Sequence, residues 1–220
     1  TPALAELETL IRARYPLLYI VTWEEERVEQ GVMRIARNLG KVAFSWSITR
    51  GIVPAGTSVQ SKRAAVSGTN DPMSALREVM ERMDPAIYLF KDFHPYLSNP
   101  EIVRALRELA GHLRQSPKTL ILLSPRLVIP PELDKSVTVV DMPLPDSSEL
   151  GRFLEKVTQD LESKGKIPVT LDAAAKESLL KALSGLTLEE AENVIAKSIV
   201  TRHALDDGAV PGVLQEKKQI

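Results

Sequence analysis

Tyr19-Ile20-Val21-Thr22-Trp23-Glu24-Glu25-Glu26-Arg27 is the stretch on which the reading of this chain turns. Its first three residues end an apolar, strand-forming run and its last four open a helix, so the segment is a strand, a short turn and a helix. In a wound α/β fold that turn is where a glycine-rich loop and the first backbone N–H groups of the helix cradle a phosphate. Here Thr22, Trp23, Glu24, Glu25, Glu26 and Arg27 supply neither glycine nor lysine, and three carboxylates stand where positive charge is needed. The layout suggests phosphate binding and the residues argue against it.

Outward from this turn, the spacing of Leu4, Leu7, Leu10 and Ile11 predicts a helix over 2–14, ended by Tyr15-Pro16, before a strand at 17–22. The helix after the turn, about 24–39, carries Val28, Val32, Ile35, Ala36 and Leu39 on one face and closes on Gly40 as a left-handed cap. Val42–Ile48 reads as a strand ended by Arg50-Gly51. From Pro54 to Asn70 the chain is small and polar, a long loop of the kind that is mobile or functional. Asp71 caps a helix with Pro72 in its first turn, and Asn99 with Pro100 does the same for a helix over 99–115. Strands fall at 86–90, 119–124 and 137–141, the first two apolar on both faces as central parallel strands require.

These segments predict an α/β fold: a parallel, wound, five-stranded sheet covered on both faces. From Ser148 onward the periodicity is helical throughout, with helices at 147–164, 171–184 and 187–204 and a short piece from about 210. The break at Met142-Pro143-Leu144-Pro145-Asp146 divides an α/β core over 1–145 from an all-helical lid over 146–220. Thr187-Leu188-Glu189-Glu190 is a capping box and reads as structure.

Bulk composition narrows the function. Lys and Arg number 28 against 29 Asp and Glu, a net charge of −1, and the pI of about 6.3 lacks the basic footprint of a general nucleic-acid binder. Cysteine is absent, which excludes disulfides and thiolate zinc sites and suits a reducing compartment. His94, His112 and His203 show no paired ligand spacing. No apolar run approaches the ~20 residues of a membrane span and no cationic leader opens the chain, so neither a spanning nor a secreted protein is expected.

Two carboxylate sets invite a chemical reading. Glu24, Glu25, Glu26 and Glu29 sit in the first turns of a helix, where the macrodipole favours them. Consecutive helical residues point about 100° apart, so three in a row do not converge on one ion. Asp92 ends an apolar parallel strand, the position where ligands bind in wound sheets. It reads either as a metal-holding acid or as a strand-end turn former. The next residue, Phe93, cannot accept a proton, so a hydrolytic partner is missing there. Ser124 and His94 show no nucleophile-elbow motif.

Leu10-Ile11-Arg12-Ala13-Arg14-Tyr15-Pro16-Leu17, Trp23–Arg27, Phe90-Lys91-Asp92-Phe93-His94-Pro95-Tyr96-Leu97, Ser124-Pro125 and Gly185–Asn193 together resemble the N-terminal half of the cyanobacterial and plastid-type AAA family ATPase, the hypothetical chloroplast open reading frame family. The resemblance implies a degenerate AAA-like region that precedes a second domain bearing the nucleotide motifs. Carried over, the phosphate loop falls on Thr22–Arg27, the magnesium-site acid on Asp92, the catalytic glutamate on Phe93 and the first-sensor asparagine near Pro125. The second-sensor arginine has no counterpart around Gly185–Thr187.

The expectation is therefore a non-catalytic AAA-like module serving assembly or partner recognition, with no cofactor of its own. ATP and magnesium belong to the ATPase domain beyond it. That domain, sister subunits and an unidentified protein are the implied partners, without nucleic acid or membrane, in the cytoplasm or the chloroplast stroma. The competing expectation is an atypical ATP-binding domain that uses Asp92 with Arg50, Lys62 or Arg63 of the 50–63 loop.

Overall fold

A computed structural model describes residues 2–58, 65–165 and 167–218. The chain divides into two units, Pro2–Met142 and Pro143–Ile220.

The first unit is built on a six-stranded sheet. In chain order it runs α1 (Pro2–Arg12), β1 (Leu17–Val21), α2 (Glu25–Asn38), β2 (Val42–Ser47), β3 (Gly51–Pro54), α3 (Pro72–Glu81), β4 (Ala86–Lys91), α4 (Pro100–Leu113), β5 (Lys118–Ser124) and β6 (Val137–Asp141). Across the sheet the order is β3-β2-β4-β5-β1-β6, parallel except for the β2–β3 hairpin. β1 lies between β5 and β6, and the chain leaves it for the far side before winding back. Strand order reverses there, and the carboxyl end of β1 opens the crevice such sheets use for ligands.

Strand alternation sorts the core into two layers. Leu18, Ile20, Ile87, Leu89, Ile121 and Leu123 face Leu7 and Ile11 of α1 and Val28, Val32 and Ile35 of α2. Tyr19, Trp46, Tyr88, Phe90, Leu120 and Leu122 face α3 and α4, through Leu76, Val79, Leu106 and Leu109. Both faces of β4 and β5 are buried, which is why their sequences read as unbroken apolar runs. The expected caps are in place: Asp71 accepts from Ser74 N–H at 2.8 Å, Asn99 from Glu101 N–H at 2.8 Å, and Gly40 takes φ +63°.

β3 lies where the sequence predicts no strand, between the end of β2 and the 54–70 loop, and its addition makes the sheet six-stranded. Its outer side is occupied by the chain returning from that loop. Ile52 N–H donates to Thr69 Oγ1 at 2.8 Å, Val66 N–H donates to Ile52 O at 2.9 Å, and Thr69 Oγ1 donates to Val66 O at 2.7 Å. Trp46 Nε1 fixes the same segment by donating to Thr69 O at 2.6 Å. The returning end of the 54–70 loop is thus tied down, while Lys62 and Arg63 lie outside the described residues.

Buried Lys118 opens β5 and donates through Nζ to Val79 O at 2.7 Å, Met80 O at 3.0 Å and Arg82 O at 2.5 Å. These carbonyls close α3 and have no partners within the helix, so a cation from a neighbouring strand caps it.

The second unit holds α5 (Ser147–Lys164), α6 (Ala173–Leu183), α7 (Leu188–Arg202) and α8 (Ala209–Lys217) around Leu150, Leu154, Leu179, Leu183, Ile195 and Val213. A short parallel pair, β7 (Val169–Thr170) with β8 (Leu205–Asp206), adds strand structure to a region expected to be wholly helical. α7 opens on the Thr187–Glu190 capping box, and α5 opens on a second, Asp146–Glu149.

Candidate functional site

The crevice at the carboxyl end of β1 is formed by the β1–α2 turn, the end of β4 and the first residues after β3. Thr22 continues β1 far enough for its N–H to donate to Ser124 O at 3.1 Å. Its hydroxyl then turns back and accepts from Glu24 N–H at 3.2 Å, while Glu25 N–H donates to Trp23 O at 3.0 Å. Two of the N–H groups that would face a phosphate are consumed inside the turn. Trp23 projects outward and is 76% exposed.

Each of the carboxylates here has a partner. Glu24 is the N-cap residue of α2, yet its side chain makes no cap hydrogen bond. It is buried and accepts from Arg27 Nη1 at 2.5 Å, with both side chains 5% exposed or less. Glu26 accepts from Gln30 Nε2 at 3.1 Å. Glu25 and Glu29 both reach Lys91 at the end of β4, at 3.3 and 2.8 Å. The other Glu29 oxygen accepts from Gly56 N–H at 3.0 Å, which ties the chain after β3 to α2. These carboxylates do more than favour their own helix, as the sequence reading had it, because Glu25 and Glu29 reach across to the sheet.

Burial works against the charge on Glu29, but the Lys91 hydrogen bond, the Gly56 N–H and the Lys91 charge outweigh it and hold its carboxyl below the ordinary value. Burial likewise disfavours the Lys91 ammonium, and hydrogen bonds and charge from Glu29 and Glu25 outweigh it and raise its pKa. The pair is ionised and mutually satisfied.

Asp92 adopts φ +51°, a left-handed conformation among the more accessible to Asp, and its N–H donates to Leu123 O at 2.8 Å. Its side chain is 60% exposed and stands 3.9 Å from His94 Nδ1. The backbone thus uses Asp92 as a strand-end turn. Among the described residues no three His, Asp or Glu side chains gather as a metal site. Phe93, the residue after Asp92, is fully buried against Trp46, Phe90 and Tyr96 with ring centroids 5.3, 5.5 and 5.5 Å away. Burial of such a ring contributes about 2–3 kcal/mol, so this residue belongs to the core.

The rim above β5 is closed by another network. Tyr19 OH lies 2.7 Å from Ser124 Oγ and donates to Arg126 O at 2.6 Å, and Ser124 Oγ is 2.8 Å from the same carbonyl. Ser124 is a buried strand-end residue held by Tyr19. Arg50 donates to Ser58 O at 3.0 Å.

Lys91, Gly56 and Tyr19 escape the sequence reading as site residues, and Glu29 enters it only as one of a helix-start carboxylate set. Lys91 stands beside Asp92 in sequence, and its partner Glu29 is 62 positions away, so the pairing appears only once β4 and α2 are packed. ATP with magnesium, the ligand this layout implies, does not fit these residues. Two of the turn's N–H groups are engaged internally, three of its four charged residues are acidic, and the basic group at the strand end is committed to two glutamates.

The sheet order, the crevice and the helical unit after them define an AAA-type α/β protein. The chain belongs to the SpoVK-like AAA ATPase family: the family's N-terminal domain matches residues 3–142 and its second domain matches 148–220. It is 34% identical over 98% of its length to the AAA domain-containing protein ycf46 of Trieres chinensis, and 30% identical over 98% to that of Guillardia theta. The chain spans 41% of each of those relatives. In fold it is similar to C. elegans PCH-2, with a TM-score of 0.62 at 12% identity, covering 99% of this chain and 68% of that one.

Proposed function

We propose that this chain is a non-hydrolysing AAA-like module that serves assembly or partner recognition for an ATPase domain elsewhere in the longer protein. ATP and magnesium belong to that other domain, and sister subunits and a protein partner are what the module meets, in the cytoplasm or the plastid stroma. No helix among the described residues is long and apolar enough to cross a membrane. The observation that carries the proposal is the crevice, where Glu24–Arg27 and Glu25–Lys91–Glu29 occupy with internal ion pairs the space and charge that a triphosphate needs. A fold kept intact while its site chemistry is replaced suits a scaffold.

The rival reading needs Asp92 and the basic groups of the 50–63 loop to converge. Arg50 is engaged with Ser58 O, Asp92 is turned to solvent, and Lys62 and Arg63 lie outside the described residues, so no observation favours it. Calorimetric titration of the chain with ATP and magnesium tests the proposal. No saturable heat is expected, and micromolar binding would overturn it.

A further inference from the structure

The opposite, N-terminal edge of the six-stranded sheet lies away from the crevice. Three hydrogen bonds gather it: Leu120 N–H to Pro16 O at 3.0 Å, Val42 N–H to Pro85 O at 3.0 Å, and the Lys41 ammonium to Pro117 O. They set side by side the segments that precede β1, β2, β4 and β5. Arg14 and Arg114 are exposed on this edge, and Lys41 is half-buried and close enough to Arg14 for that charge, after burial, to lower its pKa. Among these cations Tyr15, Val42 and Met83 are 41, 49 and 83% exposed.

We propose that this edge is a docking surface for an acidic, amphipathic polypeptide segment, whose carboxylates meet Arg14, Lys41 and Arg114 while its apolar side chains cover Tyr15, Val42 and Met83. Exposed Tyr, Met and Arg together are the composition of an interface core. The C-termini of α1, α2 and α4 end here, so basic residues have a local role against the helix dipoles. That role accounts for neither the large apolar side chains nor the backbone of Arg14. Arg14 has φ +61°, its N–H donates to Ile11 O at 3.1 Å and Tyr15 N–H to Leu10 O at 3.0 Å, the helix ending at which glycine is usual. An arginine stands where its side chain is a liability to the fold. Exposed Asp84 stands on the same edge, two residues before β4, and disfavours an unbroken polyanion such as a nucleic acid.

The proposal goes beyond the crevice and stands whether or not ATP binds. Its test is a random 16-residue peptide library selected against the 220-residue chain, with the strongest peptides then measured by fluorescence anisotropy. Acidic sequences with interspersed apolar residues are expected. Arg14→Gly should keep a Tm at or above that of the wild type yet weaken binding roughly fivefold, and Arg114→Glu should weaken it further. Binding should fall as salt rises. Selected peptides without acidic residues, or affinities unchanged in both variants, would overturn the proposal. So would tighter binding of a 20-base-pair DNA duplex than of the selected peptides.

Discussion

Replacing Lys91 by methionine keeps the length of the stem and removes the charge that Glu25 and Glu29 share. Lys91 is 20% exposed, Glu29 is 14% and Glu25 is 42%, so the contact with Glu29 carries the energy and the one with Glu25 is largely screened. A fully buried pair broken on one side costs about 3–5 kcal/mol and an exposed one up to about 1, which places this pair near 2 kcal/mol at neutral pH. The pH dependence is more discriminating than the size. In the wild type the Glu29 pKa is depressed below 4.5, so its contribution is present above that value and is lost as pH falls through the folded-state pKa. In Lys91→Met the two strongest favourable influences on the Glu29 charge, apart from the Gly56 N–H, are gone and burial dominates. Its pKa then rises above the unfolded value, and acid stabilises the variant where it destabilises the wild type. Urea unfolding followed through buried Trp46, in a Trp23→Phe background, should show a loss of about 2 kcal/mol at pH 7 that closes toward pH 4. A loss under about 0.5 kcal/mol at pH 7, or one of equal size at both pH values, would refute the reasoning.

Lys118→Met removes the donor to three carbonyls at the end of α3 and should cost about 3 kcal/mol in urea unfolding, since hydrogen bonds to a buried charge are among the stronger ones. Gly51→Ala should cost about 2–3 kcal/mol, because φ is +67° and a Cβ would lie 2.6 Å from Thr69 Oγ1 and 3.2 Å from the Asn70 backbone; amide exchange should show residues 65–70 released. Trp23→Ala should leave stability within about 0.5 kcal/mol while removing the solvent-exposed component of the tryptophan emission.

What was legible in the sequence follows from the range of the interactions involved. Helices and central strands are set by local periodicity and by caps within four residues, and Asp71, Asn99 and Thr187 act where their spacing places them. Asp146-Ser147-Ser148-Glu149 obeys the same rule as Thr187–Glu190 and was equally readable. β3 was not, because Gly51-Ile52-Val53-Pro54 is bounded by strand breakers and holds only two strand formers; its pairing with Ser45 and Trp46 makes it a strand. Lys118 resembles a surface residue until α3 brings three carbonyls to it. At the crevice the missing glycines and lysine were plain, but the replacement was not. Glu24 turning inward to Arg27, and Lys91 bridging to α2, depend on packing between elements remote in sequence.

The outer side of β3 bears on how this protein meets others. A sheet edge with unspent N–H and C=O groups is a template on which a neighbour's strand can be laid down. At Ile52 both groups are already engaged, the N–H by Thr69 Oγ1 and the carbonyl by Val66 N–H, and Pro54 brings no N–H of its own. The chain has in effect supplied its own extra strand partner there. On that flank the sheet is closed to open-ended extension from molecule to molecule.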